Sequence, residues 1–170
     1  MNRIGIVIEG ESDQKIIKVM VKKLGISPEP KIVQSNDKGN LLKGGWKGFV
    51  YGRIGDDCSK KIILVDYDTD DALNCDFRKK LENEVTDEKV IIHFAKRAIE
   101  SWLLGCFDEK NPDNLPDPME EIKKIFRGKY GAKRRYNKTA DGKQIAEKNE
   151  LKHFKASESF RKFEEILKDD

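Results

Sequence analysis

Lys61-Ile62-Ile63-Leu64-Val65-Asp66-Tyr67-Asp68 is the stretch on which the reading of this chain turns. Four aliphatic residues in a row, three of them β-branched, read as a strand. The absence of polar alternation points to burial on both faces, as in a parallel sheet. Two carboxylates follow at once, Asp66 and Asp68, two residues apart, so both side chains of an extended segment point the same way. Outward from this strand the same grammar repeats. Arg3 to Ile8 is a short apolar run broken by Glu9-Gly10, Lys31 to Gln34 is a second strand, and Val90 to Phe94 is a further apolar one.

Helical patterns fall between the strands. Glu11-Ser12-Asp13 supplies cap and first-turn residues for a helix reaching about Leu24, with Ile16, Ile17, Met20, Val21 and Leu24 at helical spacing. Gly25 stands where a left-handed cap closes it. Phe77 to Asn83 and Ile99 to Phe107 also read as helices. Strand alternating with helix predicts an α/β fold, a mostly parallel sheet flanked by helices. Gly39 to Gly55 holds six glycines with Trp46, Phe49 and Tyr51 among them, and reads either as a loop or as a poor helix packed through its aromatics. It is no P-loop, because Gly44 is followed by Gly45 and not by Lys and then Ser or Thr. Trp46 either stacks on a base or packs under that segment; Trp102, beside Leu103 and Leu104, is expected in the core.

Pro112, Pro116 and Pro118 mark a connector over 111–118, after which polar helices run over about Pro118 to Phe126 and Ser157 to Lys168. The expected organisation is an α/β domain over 1–110 and a basic helical C-terminal extension over 111–170 packed on it.

The chain has 170 residues, 37% hydrophobic and 38% charged, which suits one charged, water-facing domain. No apolar run approaches the roughly 18 residues of a membrane span, and the N-terminal apolar run is too short for a signal peptide, so a cytoplasmic protein is expected. Cys58, Cys75 and Cys106 are scattered and odd in number, which argues against a disulfide framework or structural zinc. His93 and His153 lie far apart and leave little material for a histidine-rich metal site or a Ser-His-Asp triad. Charge is unevenly spread: 56–88 holds eleven acids against five bases, and 123–152 eleven bases against three acids. That is the pairing expected of a metal site and a polyanion track, although ordinary solvated helix faces give the same counts.

In a parallel sheet, functional groups gather beyond the carboxyl ends of strands. Glu9 ends the first strand and Asp66 the one at 62–65, so neighbouring strands would bring Glu9, Asp66 and Asp68 to one crevice. Mg²⁺ or Mn²⁺ takes hard oxygen ligands, relieves the repulsion among such carboxylates and bridges to a phosphate. On spacing alone, a metal site and an acidic turn are evenly matched.

Ile4-Gly-Ile-Val-Ile-Glu9-Gly10 followed by Ile62-Ile-Leu-Val-Asp66-Tyr-Asp68 resembles the Toprim domain of topoisomerases, primases, OLD-family nucleases and ribosomal-RNA maturases. Glu9-Gly-Glu-Ser-Asp13 is similar to the Glu-Gly-x-x-acid form of the OLD-like branch. Ala98-Ile-Glu100-Ser-Trp102-Leu-Leu resembles the Glu-x-Trp-Leu-Leu segment of a Toprim-related family of OLD- and RloB-like proteins, and Ser157-Glu-Ser-Phe160-Arg-Lys-Phe163 resembles its C-terminal segment. The resemblance implies a Toprim-like, Rossmann-like domain. It implies that Glu9 is a metal ligand or general acid/base and that Asp66 and Asp68 are metal ligands. Asp13, one helical turn beyond Glu9, can return to the same site, though the related pattern often has the longer Glu there. Glu100 adds a fifth carboxylate, or else is a helix N-terminal acid favoured by the macrodipole. Asp70 and Asp71 read as solvated or capping residues.

Lys133, Arg134 and Arg135, with Tyr136 and nearby Lys129 and Lys138, form the candidate nucleic-acid contact, with a solvated basic segment as the alternative. Lys96 and Arg97 follow a strand end and either hold a phosphate or pair with the acids. The leading expectation is a Mg²⁺- or Mn²⁺-dependent phosphoryl-transfer enzyme acting on DNA or RNA, a nuclease (a phosphodiester hydrolase). The alternatives are a metal- and nucleic-acid-binding module without turnover, one that regulates a partner protein encoded beside it, and a primase-type nucleotidyl transferase.

Overall fold

The computed structural model describes residues 3–67 and 72–169. Four strands, β1 (Arg3–Ile8), β2 (Lys31–Gln34), β3 (Cys58–Tyr67) and β4 (Val90–Lys96), form one sheet in the order β2-β1-β3-β4. Every neighbouring pair is parallel, with Ile6 opposite Ile32 and Ile62, and Ile62 opposite Ile91. The α/β expectation and the parallel sheet are both borne out.

Period-two alternation sends successive side chains to opposite faces. Ile4, Ile6, Ile8, Ile62 and Leu64 pack into one cluster with α1 (Glu11–Lys23), α4 (Ile99–Leu104), α5 (Pro118–Tyr130), α6 (Lys143–Lys148), α7 (Leu151–Phe154) and α8 (Glu158–Lys168). Val7, Ile63 and Val65 face the other side. There they meet Trp46 of the short α2 (Gly45–Lys47), Val50 and Ile54 of the π-helical turn Gly48–Ile54, and Leu81 of α3 (Ala72–Glu84). Both faces are covered, which is why the strands read as continuous apolar runs.

The glycine-rich 39–55 stretch is thus the helical alternative, packed through its aromatic and aliphatic residues. Trp46 is buried in the core. Gly5 is what lets this segment lie so close: a Cβ there would fall 2.2 Å from Cγ2 of Ile54. Gly25 closes α1 with φ 70°, as its position predicts.

Some boundaries differ from those read in the sequence. β3 starts three residues earlier, at Cys58, and α3 starts at Ala72. The helix at Ile99 gives way at Gly105 to a 3-10 turn, where a Cβ would strike the His153 carbonyl oxygen. A π-helical turn over Lys138–Gly142, α6 and α7 had no clear signal in the sequence. No helix among the described residues is long and apolar enough to cross a membrane.

Candidate functional site

The strand order reverses direction between β1 and β3: the chain leaves β1 toward β2 on one side and later returns to β3 on the other. In open α/β sheets this switch point, beyond the carboxyl ends of the strands, opens a crevice. Glu9 stands one residue past β1, and its Oε1 accepts a hydrogen bond from the Asp66 amide at 3.1 Å, tying the two strand ends together. Asp66 in turn accepts at Oδ1 from the Ile99 amide at 3.2 Å, in the first turn of α4. That turn has no side-chain cap at Ala98, so Asp66 meets one of its free amides.

Asp13 enters from the first turn of α1 and Glu100 from the first turn of α4, and both are buried, Glu100 completely. The group that joins them comes from the basic C-terminal third. Lys138 Nζ lies 2.9 Å from Asp13 Oδ1, 3.2 Å from Glu100 Oε1 and 3.9 Å from Asp66 Oδ2. The contacts are ion pairs without hydrogen-bond alignment, so among the described residues Asp13 Oδ1 and both Glu100 carboxylate oxygens take no aligned hydrogen bond.

Local turn chemistry delivers this lysine. Asn137 accepts from the Ala140 amide at 2.9 Å, and Asp141 accepts from the Asn137 amide at 2.7 Å while pairing with Arg134. Gly142 lets the turn seat on α1, since a Cβ there would lie 2.9 Å from both Ile16 Cδ1 and the Tyr136 hydroxyl.

Electrostatics follow from burial. Desolvation pushes the Asp66 carboxyl well above the ordinary carboxylate range, with Lys138 pulling it down and the charges of Asp13, Glu100 and Glu9 pushing it further up. Glu100 is raised for the same reason, opposed by Lys138. Burial works against the charge on Lys138, but Glu100, Asp66 and Asp13 outweigh it and hold its pKa above the usual lysine value. Burial and the Glu100 charge raise the Tyr136 hydroxyl.

The structure thus brings Glu9, Asp13, Asp66 and Glu100 together beyond the carboxyl ends of β1 and β3, the place of the expected crevice. Asp68, Asp70 and Asp71 lie outside the described residues. Among the described residues no three His, Cys, Asp or Glu side chains are grouped closely enough to hold a metal ion in this conformation. Lys96 is turned elsewhere: it donates to Asn114 Oδ1 at 3.2 Å and lines a separate cavity with Arg78 and Lys162. Arg97 follows β4 with a left-handed φ of 70° and an amide held by the Tyr67 carbonyl at 2.8 Å. A non-glycine residue there carries backbone strain of the kind that clusters at functional sites. Arg134 and Arg135 line a cavity beside Tyr136, and Lys133 is exposed outside it. Lys138 was legible in the sequence only as one more base of a basic run; nothing in the residue pattern says that its turn docks on acids that lie far upstream in the chain.

None of the curated proteins matches this sequence. Two solved structures of the C-terminal region of the Xanthomonas campestris pv. campestris OLD protein overlap with it. The one phased with platinum is 12% identical with a TM-score of 0.44, covering 98% of this chain and 94% of that one. The one phased with iodine is 15% identical with a TM-score of 0.40, covering 98% and 80%. Overlap this loose carries no reading of activity. A family model described as Domain of unknown function (DUF4276) matches residues 8–168, nearly the whole length, and the chain belongs to that family.

Proposed function

We propose that the crevice is a divalent-cation site and that the protein is a Toprim-like, metal-dependent nuclease. The observation that carries this reading is Glu100: fully buried, with no aligned hydrogen bond to either carboxylate oxygen among the described residues, it shares the Lys138 ammonium with Asp13 and Asp66. Asp13, Asp66 and Glu100 face one lysine, with Glu9 tied to the Asp66 amide beside them, and buried charge is costly. Hard oxygen donors in excess of positive charge suit Mg²⁺ or Mn²⁺. The spacing in the present conformation suits the ammonium, so a metal ion requires Lys138 to give way and the carboxylates to draw in. Glu9 and Asp66 would hold it, with Asp13 and Glu100 beside them and Asp68 completing the set. Bound there, it would supply an acidified water and stabilise a departing oxygen. The order of the Glu9-Gly10 and Asp66-Tyr-Asp68 segments, similar to Toprim, supports the same reading.

The protein's own groups prepare this chemistry. The Asp66 amide orients Glu9, and the Ile99 amide orients Asp66. Lys138, kept protonated by its acids, carries a positive charge at the point where a phosphodiester would approach. The direct test is cleavage of single- and double-stranded DNA and RNA with Mg²⁺ or Mn²⁺. The reading expects cutting that EDTA stops and that Asp66→Asn abolishes with the fold intact. Cutting that survives Asp66→Asn would refute it.

A second reading, a binding module without turnover, is favoured by Lys138 itself, which already neutralises part of the cluster. It expects wild type to bind nucleic acid with steep salt dependence and to cut nothing.

A further inference from the structure

We infer that the cavity between α5 and residues 134–136 is a phosphate-recognition subsite that seats the backbone of a nucleic acid next to the carboxylate crevice; this rests on the nuclease reading for its partner. The cavity measures about 460 Å³ and is lined by Glu120, Lys123, Arg127, Arg134, Arg135 and Tyr136. That size suits a nucleotide unit. Glu120 is already paired with Lys123, one helical turn on.

The three guanidiniums have different roles. Arg134 is pinned: it pairs with Asp141, donates to the Arg135 carbonyl at 2.6 Å and lies 5.8 Å from the centre of the Phe126 ring. Arg127, from the last turn of α5, and Arg135 make no side-chain hydrogen bond or ion pair among the described residues. Two such guanidiniums beside a fixed third present planar donor pairs that match phosphate oxygens.

Tyr136 links this cavity to the crevice. Its ring packs edge-on against Phe126, with centroids 5.1 Å apart, and its hydroxyl has no hydrogen-bond partner among the described residues. It lies close enough to Glu100 and Lys138 for their charges to act on it. Lys138 follows Tyr136 by two residues, so a strand seated by Arg127 and Arg135 would lie beside the turn that carries Lys138. Lys133, first in the basic triplet, does not line the cavity, whereas Lys123 and Arg127 from the preceding helix do.

The test is fluorescence anisotropy with labelled single-stranded DNA and RNA oligonucleotides, in EDTA so that nothing is cut. Arg127→Ala/Arg135→Ala is expected to weaken binding about tenfold or more and to lower the salt slope by about 0.7 for each phosphate no longer neutralised. Arg127→Lys/Arg135→Lys is expected to keep the slope yet bind several-fold more weakly, because lysine lacks the paired donors. Both variants should melt as wild type does, since the altered side chains are exposed. Wild-type affinity in either double variant, an equal loss from Lys133→Ala, or no binding by wild type at low salt would each overturn the subsite. The two readings fail separately. If wild type cuts nothing while the alanine pair loses binding, the nuclease reading falls and the subsite stands. If cutting depends on Asp66 while the alanine pair binds and cuts as wild type, the subsite falls alone.

Discussion

His93 is a buried base and Lys138 a partly buried one, and they resolve the cost in opposite ways. Lys138 keeps its charge because three acids surround it. His93 gives its charge up: desolvation lowers its pKa to about 4, although the Ser159 carbonyl, 2.9 Å from Nε2, favours the protonated ring. It lies between Trp102 and Phe163, with ring centroids 6.4 and 5.7 Å away. In the unfolded chain the ring titrates near 6.5, so between about 6.5 and about 4 the unfolded state binds more protons than the folded one. Stability from the neutral ring is therefore fully present above 6.5 and is lost as pH falls toward 4, by up to about 3 kcal/mol. Asp66 and Glu100, with raised values, act with the opposite sign: what they contribute is present at low pH and is lost as pH rises above the ordinary carboxylate range. Denaturant unfolding of wild type beside His93→Gln separates the two. The variant curve should lack the acid-side loss between 6.5 and 4; parallel curves would contradict the assignment. At this scale Glu9 and Asp66 were legible in the sequence as carboxylates at strand ends, whereas Asp13 and Glu100 are named only through the resemblance to Toprim-related sequences. Lys138 could not be placed there, because its role comes from a docked turn, and docking is a long-range event without local periodicity.

Among the elements, the apolar runs were legible because burial on two faces leaves an unbroken signature. The 39–55 segment remained open because a π-helical turn has neither period two nor 3.6, and its glycines weaken any helical signal. The close approach of that segment explains one glycine of the first strand. Gly5 lies in β1 on the face that receives Ile54, and a side chain there meets Cγ2 of Ile54. Gly5→Val is expected to cost about 1–3 kcal/mol by overpacking, and adding Ile54→Ala to recover part of it. Thermal or urea unfolding of the single and double variants checks this; equal losses with no coupling would contradict the close approach. α6 and α7 escaped notice for a simpler reason. In Lys143–Lys148 only Ile145 and Ala146 are apolar, too few to mark a face.

Over the whole molecule, one core holds residues from both ends of the chain. Ile6 of β1, Ile17 of α1, Trp102 of α4, Ile145 of α6 and Phe163 of α8 belong to one cluster. This shared packing brings Lys138 of the basic segment against acids from α1, β3 and α4, of which only Asp66 belongs to the acidic stretch 56–88. The carboxylates sit at the switch point between β1 and β3, the place where open α/β sheets bind ligands. The central claim is that a divalent cation can bind between Glu9 and Asp66, with the Lys138 ammonium giving way. A crystal of the protein soaked in Mn²⁺ and measured at the manganese edge tests it most directly. The account predicts an anomalous peak about 2.1 Å from carboxylate oxygens of Glu9 and Asp66, with the Lys138 ammonium displaced. Saturating Mn²⁺ that leaves no peak there, with Lys138 still between Asp13 and Glu100, would contradict it.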